Sequence, residues 1–327
     1  MSAKPKQRDK LLTPRKIVIQ LVGFTIGLAL LFWCIKIAVK GGDWSKVLHA
    51  PPALIAGLIG CTLVSLVVNG ASFWIVIRPV QPLRFIDLLW INLVTGILNY
   101  APIRAGLIAR VAYHMRCDGM SLFRVGAWLG SLAYTTFLTI GACIFSTIVW
   151  PKFDMVWLGL VLSQLALGGV LVWAMMGQSI VQRYAQGIDR MLRDPTALWG
   201  AIALRLVDVA AFVGRMACAI AILGLPLGLT DTLLLGFAAI GLTMNPLGRF
   251  GFREIVVTII ASRLVSADMS GTELSADMAQ LALVESAGEA LLYVPLGLVS
   301  LVWFKRKWAR GRTGLGVRVT EDCDTDS

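Results

Sequence analysis

Hydrophobic residues fall into long runs that are separated by short polar or basic connections. Six runs have about the 20 residues that a helix needs to cross a bilayer: residues 17–39, 53–77, 122–149, 155–176, 198–223 and 278–304. Two further runs, residues 88–98 and 233–242, are shorter and end at proline, glycine and arginine. The pattern predicts an all-α, polytopic integral membrane protein with about six full transmembrane helices and two broken helices.

Each broken helix leads into a segment that mixes proline, glycine and arginine. These segments are residues 99–110 (NYAPIRAGLIAR) and residues 245–254 (NPLGRFGFRE). Backbone groups without helical hydrogen bonds are tolerated at membrane depth only inside protein or beside a polar cavity. We therefore interpret both regions as re-entrant hairpins. Each half then contains three spans, an odd number, so the second half is inverted relative to the first, as in many transporters.

Composition and charge support a membrane location and suggest an orientation. Hydrophobic residues make up 57% of the chain and charged residues 15%, and the net charge is +11. Lys and Arg concentrate at both ends and in alternate connections, which predicts cytoplasmic N- and C-termini, and we expect the bacterial cytoplasmic (inner) membrane. We divide the chain into a basic N-terminus (1–16), a transmembrane domain (17–308, with halves 17–150 and 151–308) and a disordered tail (309–327).

The two hairpins provide the candidate substrate site. Guanidinium groups bind phosphate through paired hydrogen bonds, and helix N-termini present free amides, so we expect an anionic headgroup to bind there. The alternative is that the arginines merely extend to the lipid headgroups at the membrane surface. The candidate residues are Asn99, Pro102, Arg104, Gly106, Arg110, Asn245, Pro246, Gly248, Arg249, Gly251, Arg253 and Glu254.

Ionisable residues inside two predicted spans form a second candidate region. Because burial of a charge in a membrane requires a partner, they predict a polar seam between the fifth and sixth spans. The seam is either a static set of ion pairs or a headgroup track or protonation site. Its members are Arg205, Asp208, Arg215, Glu285 and Glu289. We expect no metal, since neither His49 nor His114 has ligands at metal-binding spacing, and no cofactor or nucleotide, since no phosphate-binding loop is present.

The two hairpin motifs together resemble a known family. A Pro-x-Arg-x-Gly segment (Pro102 to Gly106) and a Pro-x-Gly-x-x-Gly-x-Arg-Glu segment (Pro246 to Glu254) are similar to the transmembrane domain of the lysylphosphatidylglycerol synthase and flippase family. The resemblance covers residues 17–308. Members commonly carry glutamate directly after the first motif's glycine, where this chain has Leu107. Since the soluble aminoacyl transferase domain of the full-length synthases is absent, the resemblance implies lipid translocation rather than lysylation.

We therefore expect a flippase-like membrane translocator of anionic phospholipid or polyprenyl-phosphate-linked lipid, not driven by ATP. The expected partners are those lipids and the membrane, and not nucleic acid. Two alternatives remain. One is an intramembrane headgroup or glycosyl transferase, in which Glu254 would be one catalytic member. The other is a non-catalytic membrane partner of a lipid-modifying enzyme.

Overall fold

The computed structural model describes residues 14–100, 105–178, 187–243, 252–265 and 271–317. Every regular element in these ranges is a helix, which confirms the all-α fold. The helices are α1 (Pro14–Gly41), α2 (Trp44–Leu48), α3 (Pro52–Ile77), α4 (Phe85–Leu98), α5 (Ala105–Cys117), α6 (Leu122–Val149), α7 (Met155–Met176), α8 (Ile188–Arg193), α9 (Pro195–Leu223), α10 (Leu229–Thr243), α11 (Phe252–Val265) and α12 (Gly271–Val317).

Six helices in the described ranges are long and apolar enough to cross a membrane, as predicted. The spanning stretches are Leu21–Gly41, Pro52–Ile77, Leu122–Val149, Met155–Met176, Pro195–Leu223 and Ala276–Ala309. At 1.5 Å per residue each reaches the roughly 30 Å of the hydrocarbon core. Large apolar side chains on their outer faces, such as Phe32 and Phe137, are exposed and provide the surface that lipid would contact.

The last helix extends into the predicted C-terminal tail. Helix α12 continues to Val317, into the segment 309–327 that we expect to be a disordered tail, and the division of the chain into these segments stays a prediction. Residues 318–327 lie outside the described ranges. Near the end of its spanning stretch, helix α12 contacts the first half. Lys307 Nζ lies 3.0 Å from Asp87 Oδ2 in α4, and the Arg116 guanidinium of α5 lies 4.6 Å from the centre of the Trp308 ring.

Each predicted broken region is a pair of short helices. Helices α4 and α5 have 14 and 13 residues, and α10 and α11 have 15 and 14. Such helices are about 20 Å long, shorter than the hydrocarbon core. Helix α5 returns antiparallel to α4, with Gly106 placed directly against the carbonyl of Thr95 and the side chain of Asn99. A side chain at Gly106 would force these two helices apart.

Helices α3 and α9 form the most extensive helix contact in the described structure. Both begin with proline in the first turn. They run antiparallel: a Cβ on Gly57 would lie 3.0 Å from Sγ of Cys218, and a Cβ on Gly200 would overlap the side chain of Ile75. An interval of 143 residues separates Gly57 from Gly200 and also Ile75 from Cys218. The two close contacts are therefore equivalent, and the two helices are related by a local two-fold axis.

The other helices follow the same two-fold pattern. The correspondence pairs α1 with α7, α4 with α10, α5 with α11 and α6 with α12. Accordingly α4 packs on α12 while α10 packs on α6, and α1 packs on α12 while α7 packs on α6. Since α3 and α9 correspond yet run in opposite directions, the fold has the arrangement of an inverted repeat. Its two halves meet along α3 and α9.

Candidate functional site

A polar cavity lies where the two halves meet. Its volume is about 460 Å³, and α3, α4, α5, α6, α9, α10 and α12 all contribute to its wall. The wall residues Ser65 and Asp208 lie near the middles of the spanning helices α3 and α9, so the cavity is at mid-depth. The polar lining includes Ser65, Asn69, Asn92, Thr95, Asn99, Arg110, Thr136, Arg205, Asp208, Arg215, Glu289 and Tyr293.

Arg110 of α5 is the buried cation of the first hairpin. It is 5% exposed and donates from Nη2 to Asn92 Oδ1 and, at 3.3 Å, to Thr95 Oγ1 of α4. Its guanidinium carbon lies 3.8 Å from the centre of the Phe73 ring. These partners are all uncharged, and no carboxylate of the described residues forms an ion pair with Arg110. The positive charge is held in place but not neutralised.

Arg205 and Asp208 form a second group, one turn apart on α9. Their Nη1 and Oδ2 atoms are 3.1 Å apart. The other carboxylate oxygen of Asp208 accepts a 2.5 Å hydrogen bond from Ser65 Oγ in α3. Ser65 and Asp208 are again 143 residues apart, so this bond joins equivalent positions at the two-fold axis. It links the two halves directly beside the cavity.

Arg215, Arg253, Glu285 and Glu289 form a buried ion cluster. Arg215 Nε lies 2.5 Å from Glu285 Oε1, and its Nη2 lies 3.4 Å from Glu289 Oε2. Arg253 contacts Glu285 through Nη2 and Glu289 through Nη1, the latter at 3.0 Å. Each side chain is at most 5% exposed. The cluster joins α9, α11 and α12, and its two positive and two negative charges balance.

The ring of Phe212 supports both arginines of the ion cluster. The guanidinium carbons of Arg215 and Arg253 lie 4.2 Å and 5.0 Å from its centre. A buried charge needs both a partner and satisfied hydrogen-bonding groups, and here paired carboxylates and an aromatic face surround each cation. This geometry is that of a structural tie between helices. Glu289 is the member of the cluster that also reaches the cavity together with Arg215.

The structure separates the predicted substrate residues into three groups. Asn99 and Arg110 line the cavity, while Gly106 sets the spacing of α4 and α5. Arg253 and Glu254 do not line it: Arg253 belongs to the ion cluster, and Glu254 Oε1 accepts a 2.8 Å hydrogen bond from Ser286 of α12. The remaining candidates, Pro102, Arg104, Asn245, Pro246, Gly248, Arg249 and Gly251, lie outside the described residues.

All five residues of the predicted seam are near the cavity. Arg205, Asp208, Arg215 and Glu289 line it, and Glu285 contacts Arg215 behind the wall. The wall also contains polar residues that the sequence interpretation did not include, notably Asn69, Asn92 and Tyr293. Asn69 and Asn92 each interrupt an apolar run, which is the signal that could have identified them.

Three buried polar atoms of the wall form neither a hydrogen bond nor an ion pair with the described residues: Asn69 Oδ1, Asn92 Nδ2 and Arg205 Nε. Asn92 and Arg205 are each 9% exposed. Buried polar groups are normally satisfied, and unsatisfied ones are costly. Within the described ranges, no group of three His, Cys, Asp or Glu side chains could hold a metal ion. The free atoms therefore point to a ligand that donates and accepts hydrogen bonds.

No protein-family model, curated protein or solved structure matches this chain. The resemblance to the lysylphosphatidylglycerol synthase and flippase family thus stays a prediction, and function has to be argued from the cavity itself.

Proposed function

We propose that this protein moves anionic lipids, either phospholipids or polyprenyl-phosphate-linked intermediates, across the bilayer without ATP. The observation that carries the proposal is the mid-depth cavity with an unneutralised arginine, Arg110, in its wall. A charge in a low-dielectric site is costly unless a counter-charge accompanies it. The phosphate of a lipid headgroup would supply that counter-charge through charge-assisted hydrogen bonds.

The position of the cavity suits a transport cycle. It lies between two inverted halves that contact each other along α3 and α9. In transporters of this architecture, rocking of one half against the other opens a central site to each side of the membrane in turn. The distribution of Lys and Arg supports cytoplasmic termini. As part of this proposal, the membrane is the inner membrane of a bacterium.

The decisive experiment is transbilayer movement in liposomes reconstituted with the full chain. A fluorescent anionic lipid is added to the outer leaflet, and a membrane-impermeant reagent later quenches the probe that is still there. The fluorescence that survives quenching measures the lipid that has moved to the inner leaflet. We expect Arg110→Gln to slow movement by roughly 10- to 100-fold, as for the loss of a hydrogen bond to a charged group. Arg78→Gln is the matched control, because Arg78 lies at the C-terminal end of α3, with its guanidinium 5.2 Å from the Trp74 ring.

Wild-type movement with unchanged lipid mass supports the translocator. Equal rates for Arg110→Gln and wild type would overturn the assignment of the cavity as the headgroup site. A change in lipid mass would identify an intramembrane transferase instead, and the absence of both would leave the role of a non-catalytic partner.

A further inference from the structure

We infer that His114 is a proton-binding site linked to the anion site at Arg110, so that the protein takes up an anionic headgroup and a proton together. The inference names a second bound species, and it rests on the proposed function for the identity of the anion. Three observations carry it: a row of ionisable residues along α5, the burial of His114, and the unequal contacts of its two ring nitrogens.

Arg110, His114 and Asp118 form one row. They are four residues apart in α5 and the turn that follows it, so their side chains lie on the same side of the helix. The row begins at Arg110 in the cavity wall, passes through His114, which is 0% exposed, and ends at Asp118, whose side chain is 21% exposed. It therefore connects the cavity with a partly exposed carboxylate at the end of the first hairpin.

Asp118 holds the imidazole of His114 in one orientation. Its Oδ2 lies 2.7 Å from His114 Nδ1. The backbone of Asp118 is itself fixed, because its amide donates to the His114 carbonyl at 3.3 Å and its carbonyl accepts a 2.8 Å hydrogen bond from Gln81 Nε2. An ionised carboxylate can only accept hydrogen bonds. Nδ1 of His114 therefore carries the hydrogen, and Nε2 carries the lone pair.

Nε2 of His114 is the atom that can take up a proton. It is buried and has no hydrogen-bond partner among the described residues. A buried histidine with a purely structural role normally has both nitrogens satisfied. Two aromatic rings pack against the imidazole: its centre lies 4.9 Å from that of Trp128 and 5.3 Å from that of Tyr113. Aromatic rings stabilise a nearby cation better than aliphatic side chains do.

The other ionisable groups around this end of the hairpin contribute little charge. Among the described side chains, they are Tyr113, Arg116 and Cys117 of α5, Arg78 at the end of α3, Arg84 and Asp87 at the start of α4, Arg124 of α6, and Lys305, Arg306 and Lys307 of α12. Asp87 and Lys307 pair with each other at 3.0 Å, and Arg116 stacks on the Trp308 ring. The other arginines and lysines are exposed, where solvent screens them. Protonation of His114 is thus controlled by Asp118 and Arg110.

Protonation of His114 and binding of an anion favour each other. Uptake of a proton changes the net charge of the His114 and Asp118 pair from one negative charge to zero. This pair lies one helical turn from Arg110, with which His114 interacts electrostatically. Loss of a negative charge so close to the cavity strengthens binding of an anion there, and by linkage the bound anion strengthens binding of the proton. A singly charged headgroup and one proton together bring no net charge into the interior, which lowers the cost of burying the headgroup.

The pH dependence of anion binding to the detergent-solubilised full chain tests the inference apart from transport. The probe is dihexanoyl phosphatidylmethanol, whose single phosphodiester charge does not titrate in this range, and intrinsic tryptophan fluorescence is the readout. One charge at about 10 Å, in a medium with an effective dielectric constant of about 20, changes an affinity roughly tenfold. We therefore expect the probe to bind roughly tenfold tighter at about pH 5.5 than at about pH 8.5.

His114→Gln should bind the probe at every pH with the affinity that the wild type has at about pH 8.5. The matched control is His49→Gln, which removes the other histidine of the chain. His49 is exposed, and its Nδ1 lies 2.9 Å from the carbonyl oxygen of Ser45, so this variant should keep the wild-type pH dependence. A pH dependence that persists in folded His114→Gln, or that disappears in His49→Gln, would overturn the inference.

Asp118→Asn separates a proton site from a structural contact. Asparagine can still accept the hydrogen bond from His114 Nδ1, but the charge that favours the protonated ring is gone. The midpoint of the pH dependence should therefore move to lower pH while its amplitude stays the same. A uniform change of affinity at all pH values would indicate a structural contact and contradict the linkage.

Proton uptake by the wild type decides the inference even if the His114 variant does not fold. Calorimetric titration with the same probe, in buffers of different ionisation enthalpy, counts the protons that accompany binding. We expect net uptake of a fraction of one proton near the midpoint, and no uptake or a release would overturn the inference. Proton-linked binding without transbilayer movement would refute the proposed function alone, whereas movement together with pH-independent binding would refute the linkage alone.

Discussion

Replacing Arg253 by glutamine should lower the free energy of unfolding more than replacing Arg110 does. Both are buried arginines on the second short helix of a hairpin. Arg253 contacts two carboxylates: its Nη2 contacts Glu285, and its Nη1 lies 3.0 Å from Glu289 Oε2. Its removal leaves Arg215 as the partner of both carboxylates within the ion cluster, which then has one more negative than positive charge. Removal of Arg110 instead eliminates a charge that has no carboxylate partner among the described residues.

The expected magnitudes follow from this difference. Removing one partner of a buried ion pair typically costs about 3–5 kcal/mol. After Arg253→Gln the contact between Arg215 and Glu285 stays at 2.5 Å, and Glu289 keeps its 3.4 Å contact to Arg215. We therefore expect the lower end, about 3 kcal/mol. The double variant Arg253→Gln/Glu289→Gln restores neutrality and should recover all but about 1 kcal/mol.

Denaturant unfolding in mixed micelles, followed by far-UV circular dichroism, measures these free energies. Arg110→Gln should lie within about 1 kcal/mol of wild type, because the lost contacts with Asn92 and Phe73 are offset by the removal of an isolated charge. Asp189→Asn, in the short helix α8, controls for a change of charge alone. The reasoning is refuted if the double variant is as unstable as Arg253→Gln, or if Arg110→Gln is the less stable of the two arginine variants.

Two further predictions concern the hairpin and a helix cap. Gly106→Ala places a Cβ against the carbonyl oxygen of Thr95, so it should displace α5 and lower the free energy of unfolding by about 1–3 kcal/mol. Gly126→Ala is the control in the same assay: its Cβ would have no atom within 4 Å, and the change should be neutral or stabilising. Asp154 caps α7, and its hydrogen bond from the Trp157 amide is the main cause that lowers the pKa of its carboxyl below 3.8. Because the folded pKa is the lower one, the cap stabilises fully above the unfolded pKa and is lost as the pH falls through the folded value. The difference in unfolding temperature between wild type and Asp154→Ala should thus be constant above about pH 5 and shrink below pH 4, and a difference that grows on acidification would contradict this assignment.

The spans could be predicted because run length alone decides whether a helix crosses a bilayer. The packing of α12 near residues 307 and 308 could not, since it depends on tertiary contacts. Its basic residues indicate a cytoplasmic end, yet Lys307 pairs with Asp87 of α4, and the Arg116 guanidinium of α5 lies 4.6 Å from the centre of the Trp308 ring. Contacts with α4 and α5 keep the helix ordered where the local sequence is polar. A linear pattern does not contain these distant partners.

The sequence identified individual residues of the site but not how they pair. Ionisable residues within apolar runs, such as Arg205 and Glu289, are rare enough to be recognised from the sequence. Their pairing was harder to predict, because Arg253 and Glu289 are 36 residues apart and belong to different helices. The sequence therefore suggested one role for the arginines of both hairpin motifs. Only the packing of α11 against α12 shows that Arg253 is already neutralised.

The two hairpins are alike in sequence but differ in the partners of their buried arginines, and the proposed function depends on this difference. If both arginines were paired with carboxylates, neither would offer a phosphate a guanidinium group without a carboxylate partner. If neither were, two isolated cations would lie at mid-depth, and the folded state would be less stable. The ion cluster ties α9, α11 and α12 together, whereas Arg110 has no carboxylate partner among the described residues and is held by the neutral groups of Asn92 and Thr95. In the proposed function, the second half thus contributes a stabilising ion cluster and the first half contributes the charge that would bind the headgroup.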